Sequence, residues 1–263
     1  MYYYLAMLKT TIIFCAAILC LNATNAMSQH KNKVIAHRGA WKNTGATENS
    51  IGALEHAIKL GCYGAEFDVH MSSDSVIFVN HDHTIKGTHI EKASSQELSQ
   101  IKLGNGENLP TLESYLTTGG KQKNTRLILE IKTSSISKER SLALAAKCVE
   151  MVKKYNVESI TDYIAFDFDV CLKVKELAPK AHVEYLNGDK TPAEIKAAGL
   201  DGIDYHYSVY KKNEGYLKEM RELKLSTNVW TVNDEATMKW FLARDVDFIT
   251  TNEPELLLKI DQK

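Results

Sequence analysis

The chain has 263 residues, 44 % hydrophobic and 25 % charged, which suits one barrel-sized core and excludes a disordered or low-complexity polymer. Its 32 basic and 33 acidic residues nearly cancel. Lys9 is the only charge before residue 27, so the rest keeps 31 against 33 and bulk charge offers no handle for nucleic acid or an anionic membrane.

Residues 1–26 read as a secretory leader. Lys9 precedes an apolar run over 11–21, and Asn22-Ala23-Thr24-Asn25-Ala26 offers small residues for cleavage after Ala26. The run is short for a membrane span and no second one follows, so the mature chain is expected to lack a stable span and to be secreted or periplasmic. Cys20 would suit a lipoprotein signal, but Leu19 before it is a poor fit to the small residue required, which disfavours a lipid anchor. Cys62, Cys148 and Cys171 are odd in number and widely spaced, pointing to buried thiols and away from a disulfide framework.

Residues 27–263 are expected to form one domain. Lys33-Val34-Ile35-Ala36 is a short apolar strand ending in His37-Arg38-Gly39, where glycine permits a sharp turn. Asn49 or Ser50 caps a helix in which Ile51, Leu54 and Ile58 make one buried stripe, and Gly61 stops it. Residues 65–69 form a strand, 72–75 a turn and 76–79 a returning strand. Ser94-Ser95-Gln96-Glu97 is a capping box, and Pro110-Thr111-Leu112-Glu113 starts a second helix. Strands are then expected at 126–133, 163–166, 182–186, 202–207, 227–232 and 248–250. Helices are expected at 142–155, 170–177, 214–223, 235–242 and 255–260, with one more opened by Thr191-Pro192-Ala193-Glu194. If 76–79 is an excursion, eight strands are each followed by a helix, which means a closed (β/α)8 TIM barrel with a small hairpin insertion after the second strand. An open doubly wound sheet would need fewer units and would gather its site at one crevice.

Polar residues interrupt several of these apolar strands. Glu66 and Asp68 are two apart, so both carboxylates leave the same face of a strand. Two adjacent anions need a shared cation or proton, and hard oxygen ligands favour calcium or magnesium. Alone the pair would suit a solvated strand face; Glu130 interrupting a second apolar strand favours a metal. Glu130 and Lys132 share a face and need a polar cavity at a strand end. The returning strand carries His81 back toward the carboxylates. His37, Glu66, Asp68, Glu130, Lys132, Glu184, His206 and Trp230 all fall late in their strands and fit a barrel mouth. Arg38 could instead pair with a carboxylate, the less favoured reading, Trp230 could be plain packing, and His70, His83 and His89 read as loop or surface residues.

Taken in order, His37-Arg38-Gly39, Glu48-Asn49-Ser50, Glu66-x-Asp68-Val69, His81-Asp82, Glu130-Ile131-Lys132 and Trp230-Thr231-Val232-Asn233 resemble the glycerophosphodiester phosphodiesterase family over nearly the whole mature chain. Six motifs in sequence are specific where any one alone would not be. The resemblance implies a barrel enzyme that splits glycerophosphodiesters into glycerol 3-phosphate and an alcohol. It implies that Glu66, Asp68 and Glu130 hold one divalent cation, calcium or magnesium, and that His37 and His81 are the acid-base pair. Arg38 and Lys132 would contact the phosphate, and Trp230 would pack against the glycerol. Thr47 before Glu48 replaces a usual proline, Ser50 a usual threonine, and the stretch from Asp82 to Gly87 an arginine-rich loop, which leaves the released alcohol open. Also open are cyclic-phosphate formation by the glycerol 2-hydroxyl against direct attack by water, and two rival functions. One is a phospholipase-type phosphodiesterase acting on (lyso)lipids, and the other a non-catalytic barrel that binds phosphate-bearing ligands.

Overall fold

A computed structural model describes residues 32–261; the expected leader lies outside the described residues. Eight parallel strands close on themselves: β1 (Val34–Ala36), β2 (Gly64–Met71), β6 (Arg126–Ile131), β7 (Thr161–Ala165), β8 (His182–Tyr185), β9 (Gly202–His206), β10 (Ser226–Trp230) and β11 (Phe248–Thr251). Each pairs with its neighbour in turn, and β1 pairs with both β11 and β2, which shuts the ring. This is the expected (β/α)8 barrel. The excursion is β3 (Ile77–Val79), antiparallel to the far end of β2 through Val69–Val79 and Met71–Ile77. It leads into a small hairpin, β4 (Thr84–Ile85) and β5 (Thr88–His89), and the short helix α2 (Ser95–Leu98).

The helices follow their capping chemistry. Ser50, not Asn49, caps α1 (Ile51–Leu60) by accepting from the Ala53 amide, and Gly61 at φ 73° ends it. Thr111 caps α3 (Leu112–Gly119), Ser137 caps α4 (Lys138–Lys154) and Asp167 caps α5 (Phe168–Leu177). The last two start earlier than their apolar stripes suggest, because the caps lie upstream of the first buried residue. Thr191 and Glu194 form the full capping box of α6 (Pro192–Ala197). Tyr207 opens a helix, α7 (Tyr207–Lys212), in place of ending a strand; α8 (Gly215–Leu223), α9 (Glu235–Leu242) and α10 (Pro254–Asp261) complete the outer ring.

Alternation along each strand sorts the side chains into two layers. Outward residues such as Phe67, which stacks on Tyr115 of α3 at 4.1 Å, join the main core between barrel and helices. Inward residues Ile35, Ile128, Ile164, Leu186 and Phe248 fill the barrel itself. Below them, at the strand starts, Arg126 grips Asp162 with two N–H groups, and Ser226, His182 and Glu184 form a hydrogen-bonded cluster. Gly202 is required there: a β-carbon would lie 2.0 Å from Ser226 Oγ.

Candidate active site

At the opposite end, where the strands finish, the inward positions turn acidic. Glu66 and Asp68 lie on β2, and Asp68 is paired in register with Glu130 on the adjacent β6. All three are buried, and one oxygen of each lies within 4.8 Å of the others. Burial and the neighbouring Asp68 and Glu130 push Glu66 well above the usual carboxylate range. Burial and Asp68 likewise raise Glu130 to about 7. Burial would raise Asp68 too, but Lys132, His81 and the Asn49 amide outweigh it and hold it low. Glu66 Oε1 is buried with no hydrogen-bond donor, so the set fits a hard divalent cation, which would satisfy that oxygen and relieve the repulsion.

Two cations border the carboxylates. Lys132 Nζ lies 2.6 Å from Glu130 Oε1 and 3.2 Å from Asp68 Oδ1. Arg38 donates to Glu48 at 2.9 Å and lies 3.9 Å from Asp68, while its backbone N–H donates to Glu66 Oε2 at 2.8 Å. Arg38 adopts φ 58° and Asn49 φ 61°, a left-handed backbone that costs a side chain about 1–2 kcal/mol. Both are held there by site contacts: Asn49 N donates to Arg38 O, Asn49 Nδ2 donates to Asp68 Oδ2 at 2.8 Å, and Asn49 Oδ1 accepts from the Asp68 amide.

The two histidines are anchored alike. His37 Nδ1 contacts Asn252 Oδ1 at 2.7 Å and His81 Nδ1 contacts Asp82 Oδ1 at 2.6 Å. An oxygen acceptor at Nδ1 places a proton there and leaves Nε2 available for proton transfer. His37 Nε2 lies 3.9 Å from Glu66 Oε2. Burial and Arg38 lower the His37 imidazole to about 4. Both imidazoles act on the Asp68 carboxylate.

Trp230 stands edge-on between Phe166 and His206, with ring centroids 5.5 and 5.1 Å away, and its Nε1 donates to Asp204 O at 2.9 Å. One expected mouth residue is elsewhere. Glu184 is level with Gly202, the first residue of β9, and bonds Ser226, the first residue of β10. The register shift around the barrel puts it on the floor. His70 is also not a surface residue: it is 1 % exposed, on the same face of β2 as the carboxylates. Asn252 and Phe166 were not singled out in the sequence; each follows directly on an apolar strand, and that position was the available signal.

A parallel eight-stranded barrel whose C-terminal mouth collects three carboxylates, two cations and two anchored imidazoles defines an enzyme site of the hydrolytic, phosphate-handling kind. The model of the glycerophosphoryl diester phosphodiesterase family matches residues 37–256, and the chain belongs to that family, whose members hydrolyse glycerophosphodiesters. It is similar to a glycerophosphodiester phosphodiesterase of Caldanaerobacter subterraneus, with 28 % identity over 89 % of this chain and 99 % of that one. A crystal structure of a glycerophosphodiester phosphodiesterase from Parabacteroides distasonis superposes with TM-score 0.86 at 46 % identity, covering 88 % of this chain and 96 % of that one. An Oleispira antarctica phosphodiesterase, solved with its product sn-glycerol-3-phosphate, shares the fold at TM-score 0.75 and 21 % identity, covering 88 % and 97 %.

Proposed function

We propose that this chain hydrolyses glycerophosphodiesters to glycerol 3-phosphate and an alcohol with a divalent cation, calcium or magnesium, held by Glu66, Asp68 and Glu130. The observation that carries the reading is the meeting of those three buried carboxylates beside Lys132 and Arg38, under two histidines that present Nε2. A phosphodiester is an anion with a poor leaving alcohol, so the site must neutralise charge, activate an attacking oxygen and protonate a departing one. A bound cation would supply positive charge to the phosphate oxygens. Arg38 and Lys132 add fixed positive charge on the same side. One imidazole accepts the proton of the attacking hydroxyl as the other delivers one to the leaving oxygen, so the pair exchanges roles without net proton change. Trp230, immobilised by its bond to Asp204 O, offers an aromatic wall to the glycerol carbons.

The experiment is turnover of glycerophosphocholine, glycerophosphoethanolamine, glycerophosphoinositol and a lysolipid, with and without chelator, read as glycerol 3-phosphate from the first three and as its monoacyl ester, lysophosphatidate, from the lysolipid. Activity that survives complete metal removal sinks the cation assignment. Wild-type turnover by His37→Ala or His81→Ala removes the acid-base pair. The leader read over residues 1–26 supports the further proposal that the mature chain is exported, secreted or periplasmic. Mass spectrometry of the N-terminus after expression in a secreting host tests it: a chain that begins before residue 27 and stays in the cytosolic fraction counts against export.

A further inference from the structure

Beyond the carboxylates, β2 carries one more inward polar residue, His70. Its ring is buried, and Nε2 donates to the backbone carbonyl of His81 at 3.0 Å. The preceding residue is tied to the same strand, since Asn80 N donates to Asp68 O at 3.0 Å. The backbone that bears His81 is therefore fastened at two successive residues to the strand that bears Glu66 and Asp68. On its other side the His70 ring is closed in by His83, with centroids 4.8 Å apart. His83 in turn faces Glu91 at 3.5 Å, and Glu91 is fixed by Ser134 Oγ and by the Ser135 amide and hydroxyl. The buried imidazole thus lies between the carbonyl it holds and the His83 ring.

We propose that His70 is a positioning residue for His81. An apolar side chain of similar volume would fill the space equally well, but it would leave the His81 carbonyl without its donor and the His81 backbone free to shift. A displacement of about 1 Å at an acid-base group costs on the order of 100-fold in rate, and loss of a supporting contact of this kind typically costs about 10–100-fold. The inference rests on the reading of His81 as half of the acid-base pair. It adds that the spacing of His81 from the carboxylates is set by a side chain on their own strand, so the hairpin insertion is part of the catalytic geometry.

The test compares His70→Leu, His70→Asn and His70→Gln in the full chain, with His81→Ala as control. Readouts are kcat, KM, calcium affinity by titration calorimetry and the thermal midpoint. Leucine lacks the donor, and the asparagine amide is too short to reach the carbonyl. Both are expected to lower kcat about 10–100-fold with KM and calcium affinity within about twofold. Glutamine, whose amide N–H has the reach of Nε2, is expected to recover most of the loss. If the leucine variant does not fold, the asparagine and glutamine pair decides alone. Wild-type kcat in the leucine or asparagine variant, with His81→Ala inactive, overturns the inference and spares the function. Calcium affinity that falls in step with kcat also overturns it, by making the ring a support for the carboxylates. Full activity in His81→Ala refutes the reading of the site on which the inference stands.

Discussion

Replacing Glu66 by glutamine is expected to stabilise the metal-free protein, and the effect is expected to grow with pH. Glu66 shares its pocket with two carboxylates whose oxygens lie within 4.8 Å. At an effective dielectric of about 20, each such pair repels by about 3 kcal/mol. Burial and the two neighbouring carboxylates favour the protonated form of Glu66, and holding that proton costs about 1.4 kcal/mol for each pH unit above the free carboxyl value. Burial, Asp68 and Glu130 raise its folded pKa, so its contribution is fully favourable below the unfolded value near 4.5 and is lost as pH rises toward the folded one. An amide carries the same shape with no such cost. At pH 7.5 the gain is expected at about 1–3 kcal/mol, or about 3–10 °C in melting midpoint for a chain of this size. Near pH 4.5 the two proteins are expected to melt together. Calcium is expected to narrow the difference: at 100 times its dissociation constant it adds about 2.7 kcal/mol to the wild type and less to the variant. Scanning calorimetry from pH 4.5 to 8, with chelator and then with calcium, checks both limbs. A variant that melts below wild type at pH 7.5 in chelator, or a gain that does not vary with pH, refutes the electrostatic account of the cluster.

Other perturbations probe separate parts of the barrel. Burial would lower His182, but its bond to Glu184 raises it to about 9; its stabilisation is complete below 6.5 and lost as pH climbs through about 9, so melting should fall across that range and His182→Ala should flatten the slope. The His182 side chain is 35 % exposed, so solvent screening keeps the effect to a fraction of what burial would give. Lys132→Met leaves Asp68 and Glu130 without their shared ammonium and is expected to cost the metal-free fold about 3–5 kcal/mol in urea unfolding and to raise KM. Asn49→Ala removes two hydrogen bonds to Asp68 and puts alanine at φ 61°, for an expected loss of about 2–3 kcal/mol, measured in the same way.

Much of the barrel was legible because its determinants are local. Apolar strands bounded by caps and glycines mark the strand–helix units, and the alternation Glu66, Asp68 on one strand with Glu130 on another states where the inward face turns polar. Two kinds of information are not local. The first is register: Glu184 looks like Glu130 in sequence, late in a short apolar strand, yet each strand steps along the barrel axis relative to its neighbour. That step carries Glu184 level with Gly202 and Ser226 at the strand starts, where it binds His182 in place of a metal or substrate. The second is burial imposed by an insertion. His70 follows the carboxylates by two residues and so faces inward with them, but with a turn close behind it the sequence suggests an exposed position. The hairpin folds back along β2 and seals the ring against His83 and the His81 carbonyl. Period-two patterning thus decides which way a side chain points, and only the tertiary register decides what it meets. By that logic His70, in phase with Glu66 and Asp68 on the same strand and beyond them, meets the backbone of His81 because the chain doubles back over it.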